Sequence, residues 1–375
     1  MLTEKSHILS LIDDAFKKVQ EFSYERYLKS LKDTSRRISL QKLLRYGHLV
    51  NLVLEKFGLH LMYKSVFKEL ESNSYSKMGK WSSVGTLQLA LKNPEEFDKV
   101  YNLLLDEDSK NTFDWFIQYR LAYAFLGELG GEVVPTKISK KDFSGKMGQL
   151  KLVKHSSLIN VGGYYLDSEI GTTAQSWIFE QYEAKDKCEV SEGDHIIDGG
   201  AFKGETSFWF LSKGAGKVYA FEPDPNIFSI LSENIKRNKA ADKIIAVQKI
   251  LSSRIGTFSL YTASSGGSAT HEGGNETVQG TTLDSFVENE GLDRVDFIKL
   301  DVEGAELEVL EGAAETIKKF KPKMAISVYH KPEDIIAIPK FILETLPDAK
   351  FYLSHKYYSL YETVLFVNPR DGKLL

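Results

Sequence analysis

Asp194 to Pro225 reads DHIIDGGAFKGETSFWFLSKGAGKVYAFEPDP, and its punctuation decides the fold. His195-Ile196-Ile197 is a short apolar run, expected as a buried strand. It ends on Asp198, Gly199 and Gly200, with Gly204 following. Thr206 to Leu211 has the look of a helix closed by Lys213-Gly214. Lys217 to Phe221 is a second strand that ends on Glu222. Strand, glycine turn, helix, strand and acid make a parallel crossover unit. In such units the glycines let a ligand approach the backbone at the helix start. The acid at the second strand end binds ribose hydroxyls. A nucleoside-containing cofactor follows from this arrangement.

The pattern also discriminates between cofactors. A dinucleotide site needs G-x-G-x-x-G facing a pyrophosphate. Here the run is D-G-G-A-x-x-G, with a carboxylate at the strand end itself. Asp198 would repel a pyrophosphate but suits the ammonium of an amino-acid group. S-adenosyl-L-methionine is therefore expected in preference to NAD. An ordinary glycine turn with no ligand is the bland alternative.

The α/β rhythm continues to the C-terminus. Helices are expected over 226–238 and 305–320, and strands over 243–250, 256–262, 277–283, 296–301 and 323–329. Two late strands, 350–354 and 363–367, are expected as an antiparallel hairpin. DFIKLDVEG places Asp301 and Glu303 at a strand end, and His330 follows the next strand. Ligands in open α/β sheets gather at that edge. The Gly- and Ser-rich loop 264–275 contains His271 and is a candidate substrate gate or a plain hairpin tip.

Upstream, Ile8, Ile12, Phe16 and Val19 form one apolar helical stripe, with Asp13, Asp14, Lys17 and Lys18 off it. Helix is also expected over 40–70 and from Pro94 to about 126, with a polar loop over 73–83. Lys137 to Lys154 is locally basic and is expected as a solvated connector. Thr172 or Thr173 is expected to cap a helix ending near Lys185, either a cofactor lid or a packing helix. The expected domains are a helical one at 1–126, a connector and possible lid at 127–189, and a catalytic one at 190–375.

Composition sets outer limits. A net charge of −4 gives no basic footprint for nucleic acid. One cysteine, Cys188, excludes an internal disulfide framework. The first residues have acids inside their apolar pattern, unlike a secretory signal, and no run reaches membrane-spanning length. A cytoplasmic protein is expected. The helical region is a candidate surface for homo-oligomerisation or for docking.

DGGAFKGET at 198–206, FEPDPNIFSILSENIKRN at 221–238, TLDSF at 282–286, DFIKLDVEGAELEVLEGA at 296–313, ISVYHKPEDI at 326–335 and ETVLF at 362–366 together resemble the FkbM-type methyltransferases, a branch of the class I S-adenosylmethionine-dependent enzymes. The resemblance covers about residues 190 to 370. It implies an α/β, Rossmann-like seven-stranded sheet with a terminal antiparallel hairpin. It also implies methyl transfer, usually to oxygen, on sugars, glycans or natural products, with S-adenosyl-L-homocysteine as product. By the same resemblance Asp198, Gly199, Gly200, Ala201 and Gly204 form the loop under the methionine part, with Thr206 closing the motif. Glu222 holds the ribose, and Pro223 and Asp224 shape the adenine side. Gly199 departs from the family pattern, where an apolar or small residue is common.

Methyl transfer to a hydroxyl benefits from a base. His330 has the best-matched ordinary pKa and is the expected base. Asp301 is expected to position the acceptor or the methionine end, with Glu303 beside it. Asp301 and Glu303 also suit Mg²⁺, but no compact third ligand is evident, so a metal-free site is expected. An NAD-dependent oxidoreductase and a non-catalytic partner-binding protein with a vestigial methyltransferase fold are the competing functions.

Overall fold

The computed structural model describes residues 6–32, 74–152, 158–262, 268–270 and 276–369. The expected helix over 40–70 and His271 lie outside these residues. The chain divides into two compact units, Met1–Glu95 with Asp114–Pro135, and Glu96–Phe113 with Thr136–Leu375.

The first unit is helical among its described residues. In the helix His7–Lys32, the residues Ile8, Leu11, Ile12, Ala15 and Val19 are buried, while Asp13, Asp14, Lys17 and Lys18 are exposed. Phe16 packs its ring 5.1 Å from that of Phe125. The loop expected over 73–83 is instead the start of a helix, Ser74–Lys92. Ser82 is tolerated because its hydroxyl finds a partner as it is buried. Arg120 donates to Ser82, and the Thr86 hydroxyl donates to the Ser82 carbonyl at 2.9 Å. Burial and hydrogen bonding here override weak local propensity.

The second unit is built on a seven-stranded sheet. Its strands are β1 (His195–Gly199), β2 (Lys217–Phe221), β3 (Ile244–Val247), β4 (Phe297–Leu300), β5 (Lys323–Ser327), β6 (Lys350–His355) and β7 (Thr363–Asn368). The spatial order is β6-β7-β5-β4-β1-β2-β3. β1 to β5 pair in parallel, and β7 runs antiparallel between β5 and β6. β1, β2, β4 and β5 are almost wholly buried, as expected of strands covered on both faces. The expected seven-stranded α/β sheet with its terminal hairpin is therefore present.

Three differences from the sequence reading have local causes. Strand 243–250 stops at Val247, whose carbonyl accepts from both Glu222 and Lys249. The strands 256–262 and 277–283 leave the main sheet. Gly256–Thr262 and Glu276–Thr281 pair in a separate four-stranded sheet with Ile250–Leu251 and Ser268–Thr270. The single helix expected over 305–320 is two, Glu306–Glu311 and Ala314–Phe320. Between them Gly312 lies against the Ser252 backbone, where a Cβ would collide with the Ser252 carbonyl oxygen.

The basic stretch after Lys137 contains the helix Lys140–Met147, capped by Ser139, which accepts from the Asp142 N–H at 3.0 Å. A three-stranded antiparallel sheet follows, Lys151–Leu152, Leu158–Val161 and Tyr164–Asp167. Asn238 and Asn234 fasten its last strand to the helix Pro225–Arg237 by accepting from Tyr165 and Asp167 N–H groups, each at 2.8 Å. The next helix is Ile170–Trp177, shorter than expected. Its N-cap position is Glu169, and the hydroxyls of Thr172 and Thr173 donate back to the Glu169 carbonyl. Trp177 donates to the Glu205 carbonyl at 3.0 Å, which ties this segment to the start of the helix Glu205–Ser212.

Candidate active site

The glycine turn after β1 is locked to its neighbours. The N–H groups of Gly200 and Ala201 both donate to the Phe221 carbonyl, at 3.1 and 2.9 Å. Gly200 has φ of +75°, and a Cβ there would strike the Asp301 carbonyl oxygen. Only glycine fits this close approach. Gly204 ends the turn and precedes the helix, whose first residues Glu205, Thr206 and Ser207 are buried.

Asp198 does not stand alone at the end of β1. It is fully buried, accepts from the Ser207 hydroxyl at 2.6 Å, and lies 3.1 Å from the Lys299 ammonium. Lys299 also donates to the Gly199 and Gly200 carbonyls, at 3.0 and 2.7 Å. One lysine thus neutralises the acid and satisfies the turn's backbone oxygens. Lys299 was not singled out from the sequence. The signal was present, since a lysine inside an otherwise apolar central strand needs a buried partner.

Glu222 follows β2 directly. Its Oε2 accepts from Phe202 N–H at 3.1 Å and its Oε1 from Asp224 N–H at 2.8 Å. Each oxygen keeps capacity for a further donor. Burial pushes the carboxyl up to about 8, and the Asp224 charge adds to this. Asp224 caps the helix Pro225–Arg237 through Asn226 and Ile227 N–H groups, at 2.8 and 3.1 Å. Pro225 takes the first helical position. Pro223 is half-buried between these acids.

The third group gathers at the ends of β4 and β5. Tyr182 donates to Asp301 Oδ2 at 2.6 Å, and the Tyr329 hydroxyl lies 3.2 Å from Oδ1. The His330 ring stacks near that of Tyr329, with centroids 4.0 Å apart. His330 Nε2 is 3.5 Å from Glu303 and 3.7 Å from Asp301, and its Nδ1 is 3.0 Å from Glu306. Burial opposes charge on this imidazole, but Glu306 and Glu303 prevail and hold its pKa well above the ordinary value. Burial likewise opposes charge on Asp301, while His330 and Lys299 outweigh it and keep that carboxyl low.

Asp301, Glu306 and His330 each bring one donor atom within 4.8 Å of the others, a spacing that suits a cation. However, Glu306 Oε1 already accepts from Val302 N–H at 2.9 Å, and an imidazole drawn to three carboxylates supplies its own positive charge. The trio is accounted for as an internal ion-pair network. It also shapes the loop after β4, where Glu303 adopts a left-handed φ of +57°.

Glu362 completes the group from the other end of the chain. It accepts from Gln181 Nε2 through Oε2, and the Tyr329 hydroxyl lies 3.5 Å from the same oxygen. Gln181 also donates to the Tyr182 hydroxyl at 3.3 Å. Asp301, Tyr182, Gln181, Glu362 and Tyr329 therefore form a closed polar ring. Of these only Asp301 was read from the sequence as a site residue. The expected hairpin held the missing signal, because an antiparallel last strand begins at the edge where the parallel strands end.

Residues 198–353 match the family described as the methyltransferase FkbM domain. That stretch of the chain is similar to the FkbM methyltransferases. Hexuronic acid methyltransferase AglP of Haloferax volcanii is 27% identical over 207 residues, 53% of this chain and 82% of that protein. Methyltransferase sdnD of Sordaria araneosa is 32% identical over 166 residues, 35% of this chain and 64% of that protein. The crystal structure of methyltransferase FkbM from Methylobacillus flagellatus KT superposes with a TM-score of 0.51 at 18% identity. It covers 85% of this chain and 70% of that one, a likeness of fold. The matched region begins at Asp198 and holds every expected site residue. Among the described residues, no helix is long and apolar enough to cross a membrane.

Proposed function

We propose that this FkbM domain transfers a methyl group from S-adenosylmethionine to a hydroxyl of a sugar, glycan or related small molecule. The observation that carries the reading is the pair of features on one sheet edge. A glycine turn packed against the Asp301 backbone sits beside a buried acid, Glu222, that has spare acceptor capacity. These features support a nucleoside cradle. The relative named as a hexuronic acid methyltransferase supports a carbohydrate acceptor.

The residues fit the cofactor. Gly199, Gly200, Ala201 and Gly204 form the close-approach surface, and Thr206 lies in the first turn of the helix beneath it. Glu222 takes the ribose hydroxyls, with Pro223 and Asp224 beside the base. Asp198 acts through the turn, which it holds by way of Lys299 and Ser207. When bound, the sulfonium cofactor supplies an electrophilic methyl carbon and a neutral leaving group.

The chain's own task is to orient the acceptor and remove its proton. Asp301, kept ionised, accepts hydrogen bonds and orients a cationic or hydroxyl group. His330, expected from its ordinary pKa as the base, is drawn toward the imidazolium by the acids around it. Its role in this proposal is to fix Asp301 and Glu303 in place.

Calorimetry with S-adenosylmethionine, S-adenosylhomocysteine and NAD tests the cofactor. Binding of the first two, weakened more than about tenfold by Glu222→Ala, is the expected result. NAD binding in their place would restore the oxidoreductase reading. A folded protein that binds none of the three would favour a partner-binding role.

A further inference from the structure

Glu362 is used by no step above, and three observations single it out. It stands at the carboxyl edge of the sheet because Val328 N–H donates to the Thr363 carbonyl, which brings Tyr329 and Glu362 side by side. Its backbone adopts a left-handed φ of +72°, costly for a residue with a side chain. Among the described residues, Gln181 Nε2 and the Tyr329 hydroxyl both meet Oε2, so Oε1 keeps its acceptor capacity. The residue is half-buried, unlike the fully enclosed Gln181, Tyr182 and Tyr329.

We infer that Glu362 is the catalytic base that takes the proton from the acceptor hydroxyl. The inference rests on the methyl-transfer reading. In the step, the acceptor O–H bond breaks and its proton passes to the Glu362 carboxylate. The freed oxygen pair forms the new carbon–oxygen bond, while the sulfonium–methyl bond breaks with its pair returning to sulfur. The products are a methyl ether, a neutral thioether and a protonated Glu362, which then gives its proton to water.

The neighbours make the division of labour consistent. Asp301 and Glu303 at the end of β4, and Tyr329 and His330 at the end of β5, face Glu362. Gln181, Tyr182 and Tyr357 complete its surroundings. Burial, followed by the Asp301 charge, pushes Glu362 up to about 8, against the Gln181 hydrogen bond and His330. His330 and Lys299 hold Asp301 low, which weakens it as a base, and Glu306 and Glu303 favour the charged form of His330. A base is most effective when its pKa lies near the working pH.

The test uses the full chain and the variants Glu362→Gln and Glu362→Asp. An infrared titration needs no acceptor. The protonated-carboxyl band of the wild type is expected to fade between about pH 7 and 9, and Glu362→Gln is expected to lose part of that amplitude and keep the part that Glu222 contributes. Methyl transfer is then followed with p-nitrophenyl β-D-glucuronide and p-nitrophenyl β-D-glucoside as probes. Turnover is expected to rise with pH toward about 8 and to fall about 10²–10⁴-fold in Glu362→Gln. Partial retention is expected in Glu362→Asp. Calorimetric binding of S-adenosylhomocysteine should be the same in all three proteins. A titration identical in wild type and Glu362→Gln overturns the inference, as does a variant that keeps more than a tenth of the turnover. Failure of the wild type to bind S-adenosylhomocysteine would instead overturn the cofactor reading.

Discussion

Lys299 and Asp198 sit in register on β4 and β1, with Nζ 3.1 Å from Oδ1 and neither side chain more than 2% exposed. Removing one member of a buried pair leaves the other charge without compensation. Lys299→Met is expected to destabilise the second unit by about 3–5 kcal/mol, read from chemical unfolding. Asp198→Asn combined with Lys299→Met should cost less than the two single changes summed. Strict additivity would mean that the two groups act independently.

Gly200→Ala tests the turn. The new Cβ would meet the Asp301 carbonyl oxygen at a φ of +75°, so the turn must open. The expected result is a stability loss of about 1–3 kcal/mol or more together with loss of S-adenosylhomocysteine binding. Tight binding by a fully stable Gly200→Ala protein would show that the close approach is not needed.

Glu222 predicts a pH dependence of nucleoside binding. In the proposed function ribose hydroxyls donate to the Glu222 carboxylate, whereas burial and the Asp224 charge push this acid up to about 8. Binding must therefore expel a proton at lower pH. The affinity of methylthioadenosine, which lacks the amino-acid end, should rise about tenfold per pH unit up to about 8 and then level off. Glu222→Gln should bind weakly with a flat profile. Calorimetry across pH would expose a flat wild-type profile, which would contradict the assignment.

Stability should fall as pH rises from about 5 to 8. Glu222 and Glu362 are raised from 4.5 to about 8, and Asp334 from 3.8 to about 7, in each case chiefly by burial. Across that window the folded chain binds more protons than the unfolded one, so each unit of pH favours unfolding. His330 has the same sign, because its acids keep it protonated beyond its ordinary range. Asp301 is lowered, and its contribution is lost only in stronger acid. The Tm should be higher at pH 5.5 than at pH 8, with a shallower slope in Glu222→Gln and Glu362→Gln. A Tm that climbs toward pH 8 would show that these acids are ionised in the folded protein.

Much of the site was legible because its signals are short-range. The run from Asp198 to Glu222 encodes a strand, a turn that only glycine fits, a helix and an acid within one crossover, and each step depends on near neighbours. The hairpin and the acid after β4 were legible for the same reason. The breaks at Val247 and Gly312 were not, since each depends on a segment distant in sequence.

The sequence alone determined the seven-stranded α/β sheet with its terminal hairpin and the resemblance to FkbM methyltransferases, because hydrophobic period and glycine spacing survive without knowledge of contacts. Only the tertiary structure decided which polar groups come together. Gln181 and Glu362, 181 residues apart, meet because an antiparallel strand starts where parallel strands end. Charge was decided there too. His330 has a base's ordinary pKa but is enclosed by carboxylates, whereas Glu362 has an acid's ordinary pKa but is half-buried beside Asp301. Proton affinity is set by burial and neighbouring charge, and residue type fixes neither.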